Sequence, residues 1–295
     1  MAFRPGEQSG FCVGPVLADA RRRIAAVSDT AGIDAFVLLE HCCGVGRAAA
    51  MGFPERTLER DAVAALDRAV ERRLAGEPVA YICGCREFYS LQLAVSPAVL
   101  VPRPDTELLV DACIERIGDA GCRVLDLGTG SGAIAIAVKK ARPAAAVTAT
   151  DFAADALSVA AENAATHSAA IEFVRSDWFV NLGKSRFDVV ISNPPYVESG
   201  AECLRGALVH EPIKALDGGQ DGLDCYRTIL RDVPRHLEPG GCLMVEHGFD
   251  QRAALMALGH QFGFRVEAAL DDAAGHPRVL VLVMGSPGDP AGAGG

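Results

Sequence analysis

Residues 122–141 read CRVLDLGTGSGAIAIAVKKA. The first six form a short apolar run, as a buried strand does. The last nine are Ala, Ile, Val and Lys with no breaker among them, as in a helix. Between them stand Gly128, Thr129, Gly130, Ser131 and Gly132. Glycines at alternate positions let the backbone turn tightly and approach a ligand closely. The helix beyond them offers unpaired N–H groups at the same point. The spacing is G-x-G-x-G and Ala133 follows, so the G-x-G-x-x-G fingerprint of dinucleotide binding is not met. This turn also lacks the Gly-Lys-Ser/Thr ending of a triphosphate-binding loop.

Further short apolar runs follow: AVTATD (146–151), IEFVRSD (171–177), FDVVISN (187–193), GGCLMVEHG (240–248), FRVEAAL (264–270) and RVLVLVM (278–284). Amphipathic or Ala-rich stretches separate the first five runs, counted from residue 122. Such alternation predicts an α/β fold, a mostly parallel sheet with helices on both faces. The last two runs are joined by DDAAGHP, too short for a crossover helix, so the seventh strand is expected to be antiparallel.

Upstream the pattern differs. Residues 16–76 read as helical, with Leu58, Ala62, Ala65, Leu66, Ala69, Val70 and Leu74 in one apolar stripe that Gly76 ends. Asp34 suits the cap of a helix through Leu39. Arg21, Arg22 and Arg23 read as a solvated helix face balanced by nearby acids. Residues 79–101 are rich in β-branched and aromatic side chains, are broken by Gly84 and Pro97, and predict a hairpin linker. The expected organisation is therefore a helical domain at 16–78, a linker at 79–101 and an α/β domain at 102–284. Residues 1–15 and the Gly/Pro/Ala-rich 285–295 are expected to be disordered.

The 295 residues are 50% hydrophobic and 22% charged, enough to bury a sizeable core. Net charge is −10; residues 1–85 carry 10 basic and 11 acidic side chains, which leaves 18 basic and 27 acidic in the rest. An α/β domain that acidic would repel a phosphate backbone, so no direct nucleic-acid partner is expected. No signal peptide and no apolar run of membrane-spanning length is seen, and a cytoplasmic monomer is expected. The ten cysteines are scattered without zinc-ligand spacing, so no metal site is expected.

Three further positions carry chemistry. Asp151 ends the second strand, about 20 residues past the glycines, where an acid can hold ribose hydroxyls or cap the next helix. Trp178, the one tryptophan, follows the third strand and suits either an adenine border or the core. Asn193, Pro194, Pro195 and Tyr196 end the fourth strand. The two prolines stop a central strand and leave carbonyls without N–H groups. Asn193 adds an acceptor and Tyr196 a flat face, a set suited to an NH2 group on something planar. If strands one and four flank the point where strand order reverses, this turn and the glycine loop face one crevice.

The chain resembles the bacterial release-factor glutamine methyltransferases, the PrmC/HemK family, from about residue 30 to residue 280. The resemblance rests on Gly76–Ile82, Arg86-Glu87-Phe88, Pro102–Glu107, Leu125–Ala137, Ser176–Phe179 and Ser192–Tyr196. It also includes Glu211-Pro212, Asp221-Gly222-Leu223, and Glu246-His247-Gly248 followed by Gln251. Tyr89 and His210 depart mildly from the family pattern. The resemblance implies a class I, Rossmann-like methyltransferase domain behind a helical substrate-recognition domain and a hairpin linker. It implies S-adenosylmethionine as cofactor, with Gly128, Thr129, Gly130, Ser131 and Gly132 around its methionine part, Asp151 on its ribose, Trp178 at its adenine, and Asn193 beside it. It implies catalysis and substrate binding by Asn193, Pro194, Pro195 and Tyr196. The implied substrate is the glutamine of a Gly-Gly-Gln motif in class 1 peptide-chain release factors. The neighbouring readings are a ribosomal-protein glutamine methyltransferase and a DNA adenine methyltransferase acting on a flipped base. The Arg103–Glu107 stretch favours the release-factor branch, and the acidic charge disfavours DNA.

Overall fold

The computed structural model describes residues 11–119, 121–206 and 208–285. The chain divides into two units, Met1–Gly84 and Cys85–Gly295.

In the first unit, β1 (Phe11–Cys12) pairs antiparallel with β2 (Thr57–Leu58). Around them lie α1 (Val13–Ile24), α2 (Ala31–Cys43), α3 (Arg47–Gly52), α4 (Arg60–Leu74) and α5 (Val79–Cys83). The apolar stripe becomes α4, whose Leu66, Ala69 and Val70 join Leu17, Ile24, Leu38 and Leu39 in one buried cluster. Gly76, at φ 91°, lies in the left-handed region just past that helix. Arg23 of α1 pairs with Asp67 and Glu71 of α4, each at 2.6 Å, and Arg22 pairs with Asp19, so acids do balance the basic run.

Three expectations change here. Helix α2 begins at Ala31, so Asp34 lies in its first turn and is not its cap. Its carboxylate accepts the Ser28 hydroxyl at 2.8 Å and the Thr30 hydroxyl at 3.0 Å, and meets Arg73 Nε at 2.9 Å. Residues 11–15 are ordered, because β1 has a partner strand and Val13 starts α1. Residues 1–10 and 286–295, where disorder was expected, lie outside the described residues. Val79–Cys83 is helical rather than extended; Ala80, Tyr81 and Ile82 are buried, and Gly84 at φ 73° ends the helix.

The second unit opens with a hairpin, β3 (Cys85–Phe88) against β4 (Leu91–Ala94). Its two turn residues, Tyr89 and Ser90, both have positive φ, as a tight two-residue hairpin demands. Non-glycine residues hold that strain because the next helix, α6 (Glu107–Ile117), anchors them. Glu107 Oε1 accepts the Tyr89 N–H at 2.8 Å, and Asp111 accepts the Tyr89 hydroxyl at 2.7 Å.

Strands and helices then alternate as expected: β5 (Arg123–Leu127), α7 (Ala133–Ala141), β6 (Ala146–Asp151), α8 (Ala154–Thr166), β7 (Ile171–Arg175) and β8 (Phe187–Ser192). After a short α9 (Glu202–Arg205) come α10 (Asp224–Asp232), β9 (Leu237–Glu246), α11 (Arg252–Gln261), β10 (Phe264–Asp271) and β11 (Pro277–Met284). Among the described residues, seven strands form one sheet in the order β10-β11-β9-β8-β5-β6-β7. Strand β11 is antiparallel to both neighbours, as the short DDAAGHP link requires. Successive side chains take opposite faces. Val124, Val189, Ile191 and Met244 pack under α6 and α7, while Leu125, Val190, Leu243 and Val245 pack under α10 and α11.

Candidate active site

Strand β5 pairs with β6 on one side and β8 on the other, with Leu127 opposite Ser192. The chain therefore leaves β5 in one direction and returns on its other side at β8. The carboxyl ends of these two strands meet at the switch point, where open α/β sheets hold ligands. The glycine loop leaves β5 there and the Asn193–Tyr196 turn leaves β8.

Gly128, Gly130 and Gly132 have φ of 72°, 54° and 82°, all in the left-handed region that favours glycine. A Cβ on Gly128 or Gly130 would meet open space, whereas one on Gly132 would stand 3.0 Å from Ile136 and 3.2 Å from Ala160. The first two glycines thus open the loop to a ligand and the third packs α7 on α8. Thr129 and Ser131 face inward. The Thr129 hydroxyl donates to Asp126 at 2.7 Å, and the Ser131 carbonyl accepts Asn163 Nδ2 at 2.9 Å. Burial pushes the Asp126 carboxyl up to about 7. Asn163 also exchanges two hydrogen bonds with the Ala94 backbone, so one buried amide ties the hairpin to the loop.

The Asp151 carboxylate accepts the Gly130 N–H and the Ala153 N–H, each at 2.9 Å. It fixes the loop across the strand gap and keeps further lone pairs. It is two residues short of the α8 cap position, which is Ala153, so the capping alternative does not describe it. Trp178 takes φ 48° after β7, packs partly on the core and also lines the cavity.

On the other side, Asn193 Nδ2 donates to the Thr106 hydroxyl at 3.1 Å. Thr106 is buried in the 3-10 turn Pro104–Thr106 that precedes α6. Pro194 is buried and Pro195 half-buried. The Tyr196 hydroxyl donates to Glu246 Oε1 at 3.3 Å. Burial, and then the neighbouring Glu246 charge, push the Tyr196 hydroxyl well above its ordinary value. Glu246 itself ends β9 with 1% exposure, and burial raises its carboxyl to about 7.

The turn is buttressed from behind. Gln251 Nε2 donates to the Tyr196 carbonyl at 2.9 Å, and Gln251 Oε1 accepts the Gly248 N–H at 2.9 Å. A Cβ on Gly218 would lie 2.8 Å from the Pro195 carbonyl and 2.8 Å from Tyr196 Cα. One on Gly222 would lie 2.5 Å from the Tyr196 carbonyl. Only glycine allows the 217–222 segment so close to the turn. Arg103 pairs with buried Glu211, whose Oε2 also accepts the Val101 N–H at 3.0 Å, and Arg278 of β11 meets Asp105 at 3.0 Å.

Gly128, Gly130, Asp151, Trp178, Asn193 and Pro195 line one cavity of about 330 Å³. Thr129, Ser131 and Gly132 shape its wall from inside, and Pro194 and Tyr196 form the body of the turn. The cavity also takes in Phe152 and Lys214, whose ammonium lies 5.0 Å from the Phe152 ring centre. Sequence reasoning assigned no part to Thr106, Asn163, Gly218 or Gln251. Thr106, Gly222, Glu246 and Gln251 stand in motifs that carried the family resemblance, but no spacing rule says what they touch. No helix among the described residues is long and apolar enough to cross a membrane.

Residues 104–220 match the family model "Methyltransferase small domain", and residues 16–84 match "PrmC N-terminal domain". The release factor glutamine methyltransferase of Neisseria gonorrhoeae is 47% identical over 218 residues, 73% of this chain and 80% of that protein. Its counterpart from Xylella fastidiosa is 42% identical over 260 residues, 87% of this chain and 94% of that protein. The crystal structure of a methyltransferase from Pyrococcus furiosus shares the fold, with a TM-score of 0.52 at 19% identity over 75% of this chain and 100% of that one. With relatives this close across most of their length and a matching family model on each unit, the chain belongs to the release factor glutamine methyltransferase family.

Proposed function

We propose that this protein transfers the methyl group of S-adenosylmethionine to the side-chain amide nitrogen, N5, of the glutamine in the Gly-Gly-Gln motif of class 1 release factors. The observation that carries this reading is the convergence of Gly128, Gly130, Asp151 and Asn193 on one cavity at the sheet's switch point.

The residues present fit that cofactor. The space where Gly128 and Gly130 lack a Cβ admits a ligand pressed against backbone, as the methionine part requires. Each Asp151 oxygen accepts one N–H and retains a lone pair for a ribose hydroxyl. Trp178 and Phe152 supply flat apolar surface for the adenine at that end. When bound, S-adenosylmethionine supplies an electrophilic sulfonium methyl.

The chain's own task is to prepare the nucleophile. An amide nitrogen is a poor one because its lone pair is delocalised into the carbonyl. Asn193 Oδ1 and the Pro194 carbonyl accept the two N–H bonds of the glutamine amide and aim its nitrogen. These bonds strengthen as positive charge develops on nitrogen, which is stabilisation of the transition state over the ground state. Alignment contributes further by removing orientational freedom. Tyr196, tethered to Glu246 and Gln251, packs on the amide plane. No strong base is needed, since the proton leaves after methyl transfer.

Discrimination among the many glutamines of a cell must come from outside the pocket. The helical unit, 16–78 in the sequence reading, supplies it. It exposes Ile33, Met51 and Phe53, each more than 60% accessible, and these form the docking contacts for the intact factor. The enzyme works as a cytoplasmic monomer and needs no nucleic acid. The test is to incubate it with labelled S-adenosylmethionine, a purified class 1 release factor, ribosomal proteins and duplex DNA. One methyl group on the Gly-Gly-Gln glutamine is the expected product. Label in DNA or ribosomal protein instead would overturn the assignment.

A further inference from the structure

We infer that Asn163 is a positioning residue for the cofactor, a buried carboxamide that holds the glycine loop and the 94–100 segment at one fixed spacing, so that both fit S-adenosylmethionine together. The inference rests on reading the cavity as the S-adenosylmethionine site.

Asn163 lies inside α8, whose other buried residues are Ala156, Ala160 and Ala164. Asn is a poor residue for a helix interior, and a buried carboxamide is costly unless it is hydrogen-bonded. Asn163 is 2% exposed, and its side chain spends its bonds on two distant segments. Nδ2 donates to the Ala94 carbonyl at 3.0 Å and to the Ser131 carbonyl at 2.9 Å. Oδ1 accepts the Ala94 N–H at 2.7 Å. A backbone N–H only donates and a backbone carbonyl only accepts, so these partners fix which end of the carboxamide faces which way.

Ala94 ends β4, opposite Cys85 of β3. The hairpin has two strands, and Asn163 exchanges two hydrogen bonds with Ala94 as a residue of a third strand would. Leu93 and Val95 on either side are buried, which anchors the chain at this point. Just beyond, Ala98, Val99 and Leu100 line the cavity. Ser131 is 3% exposed and stands in the glycine loop, whose Gly128 and Gly130 line the same cavity. Asp151 holds this loop at the Gly130 N–H, and Asn163 holds it one residue later at the Ser131 carbonyl. The spacing between two parts of the cavity lining is therefore spanned by one amide group and its hydrogen bonds. Asn163 reaches the ligand only through these neighbours. A cofactor that touches both parts binds tightly when they are set in advance, because it then bears no cost of ordering them.

The experiment measures S-adenosylhomocysteine affinity by calorimetry, kcat at saturating S-adenosylmethionine and the thermal melt, for the native protein, Asn163→Ala, Asn163→Asp and His167→Ala. Asn163→Ala leaves three backbone groups without this partner. Its affinity should fall about 10- to 100-fold, the range for lost buried hydrogen bonds. Its kcat at saturation should stay within about threefold, because the Asn193–Tyr196 turn is untouched. Asn163→Asp keeps the shape and the acceptor for Ala94 but turns an oxygen toward two carbonyls, so it should weaken binding at least as much. His167→Ala is the control. His167 Nε2 donates to the Gln92 carbonyl at 2.7 Å, which joins the end of α8 to the same strand at a residue not bonded to the loop. That variant should keep its affinity within about threefold. Native affinity in a folded Asn163→Ala, or an equal loss in His167→Ala, overturns the inference. Hydrogen exchange on the native protein serves if the Asn163 variants do not fold. Saturating S-adenosylhomocysteine should slow exchange at 94–100 and at 128–132 together, and slowing in one segment alone overturns the inference. If the native protein does not bind S-adenosylhomocysteine at all, the reading of the cavity on which the inference rests is the part that fails.

Discussion

The two loops that face each other across the cavity are built by opposite strategies. The glycine loop holds its shape largely with its own backbone, braced by Asp151 at Gly130 and by Asn163 at Ser131. Three glycines take left-handed backbone, Gly132 N donates to the Thr129 carbonyl at 2.9 Å, and Thr129 reaches back three residues to Asp126. The Asn193–Tyr196 turn holds almost nothing by itself. Its shape depends on Thr106, Gly218, Gly222, Glu246 and Gln251, contributed by four other segments of the chain. A loop that only needs to offer backbone to a ligand can be encoded mainly in consecutive glycine-rich residues, with a few braces from the neighbouring strand and helix. A turn that must aim two acceptors at one nitrogen needs its angles fixed by packing, because small errors of aim are costly in rate.

This contrast can be broken at either end. The largest expected effect is on the turn: Asn193→Ala should lower kcat by about 2.7–4 kcal/mol in barrier, the range for losing an aligned group at a developing charge. S-adenosylhomocysteine affinity by calorimetry should stay within about tenfold, since the glycine loop is untouched. Near-native turnover would remove Asn193 from the mechanism.

Next in size is Gly218→Ala. The new Cβ would press on the Pro195 carbonyl and Tyr196 Cα at 2.8 Å, and the turn must shift. We expect a loss of about 100-fold in kcat and about 1–3 kcal/mol in stability from overpacking. Single-turnover rates and thermal melts check both. If the rate stays native, the turn is not held from behind and the contrast between the loops disappears.

Asp151→Ala tests the other loop. It removes acceptors for the Gly130 and Ala153 N–H groups and for the ribose, so cofactor binding should weaken by about 1.5–3 kcal/mol. At saturating cofactor, kcat should change little. Equal loss in kcat would show that the loop also aims the chemistry.

The smallest effect concerns the helical unit. Changing exposed Ile33, Met51 and Phe53 together to Ser should lower kcat/KM for an intact release factor several-fold and leave a short Gly-Gly-Gln peptide unaffected. A parallel loss on both substrates would mean that these side chains do not select the substrate.

The sequence by itself determined the sheet and one wall of the site. Hydrophobic period and the seven-residue DDAAGHP link specified alternating strands and helices and an antiparallel last strand, because backbone pairing and burial are set by residues close in the chain. The glycine loop was legible because positive φ requires glycine wherever it occurs. Local reading failed where tertiary contact outweighs propensity. VAYIC looks extended from its β-branched and aromatic residues, yet it forms α5 because three of its side chains are buried there between the Pro78 entry and a left-handed Gly84. Asp34 looked like a cap, but Arg73, 39 residues away, joins two nearby hydroxyls in claiming its carboxylate. Only the tertiary structure decided what Thr106, Gly218, Glu246 and Gln251 do. Each acts on the Asn193–Tyr196 turn from a distant segment, and no period or spacing records a contact made by packing and hydrogen bonding across the fold.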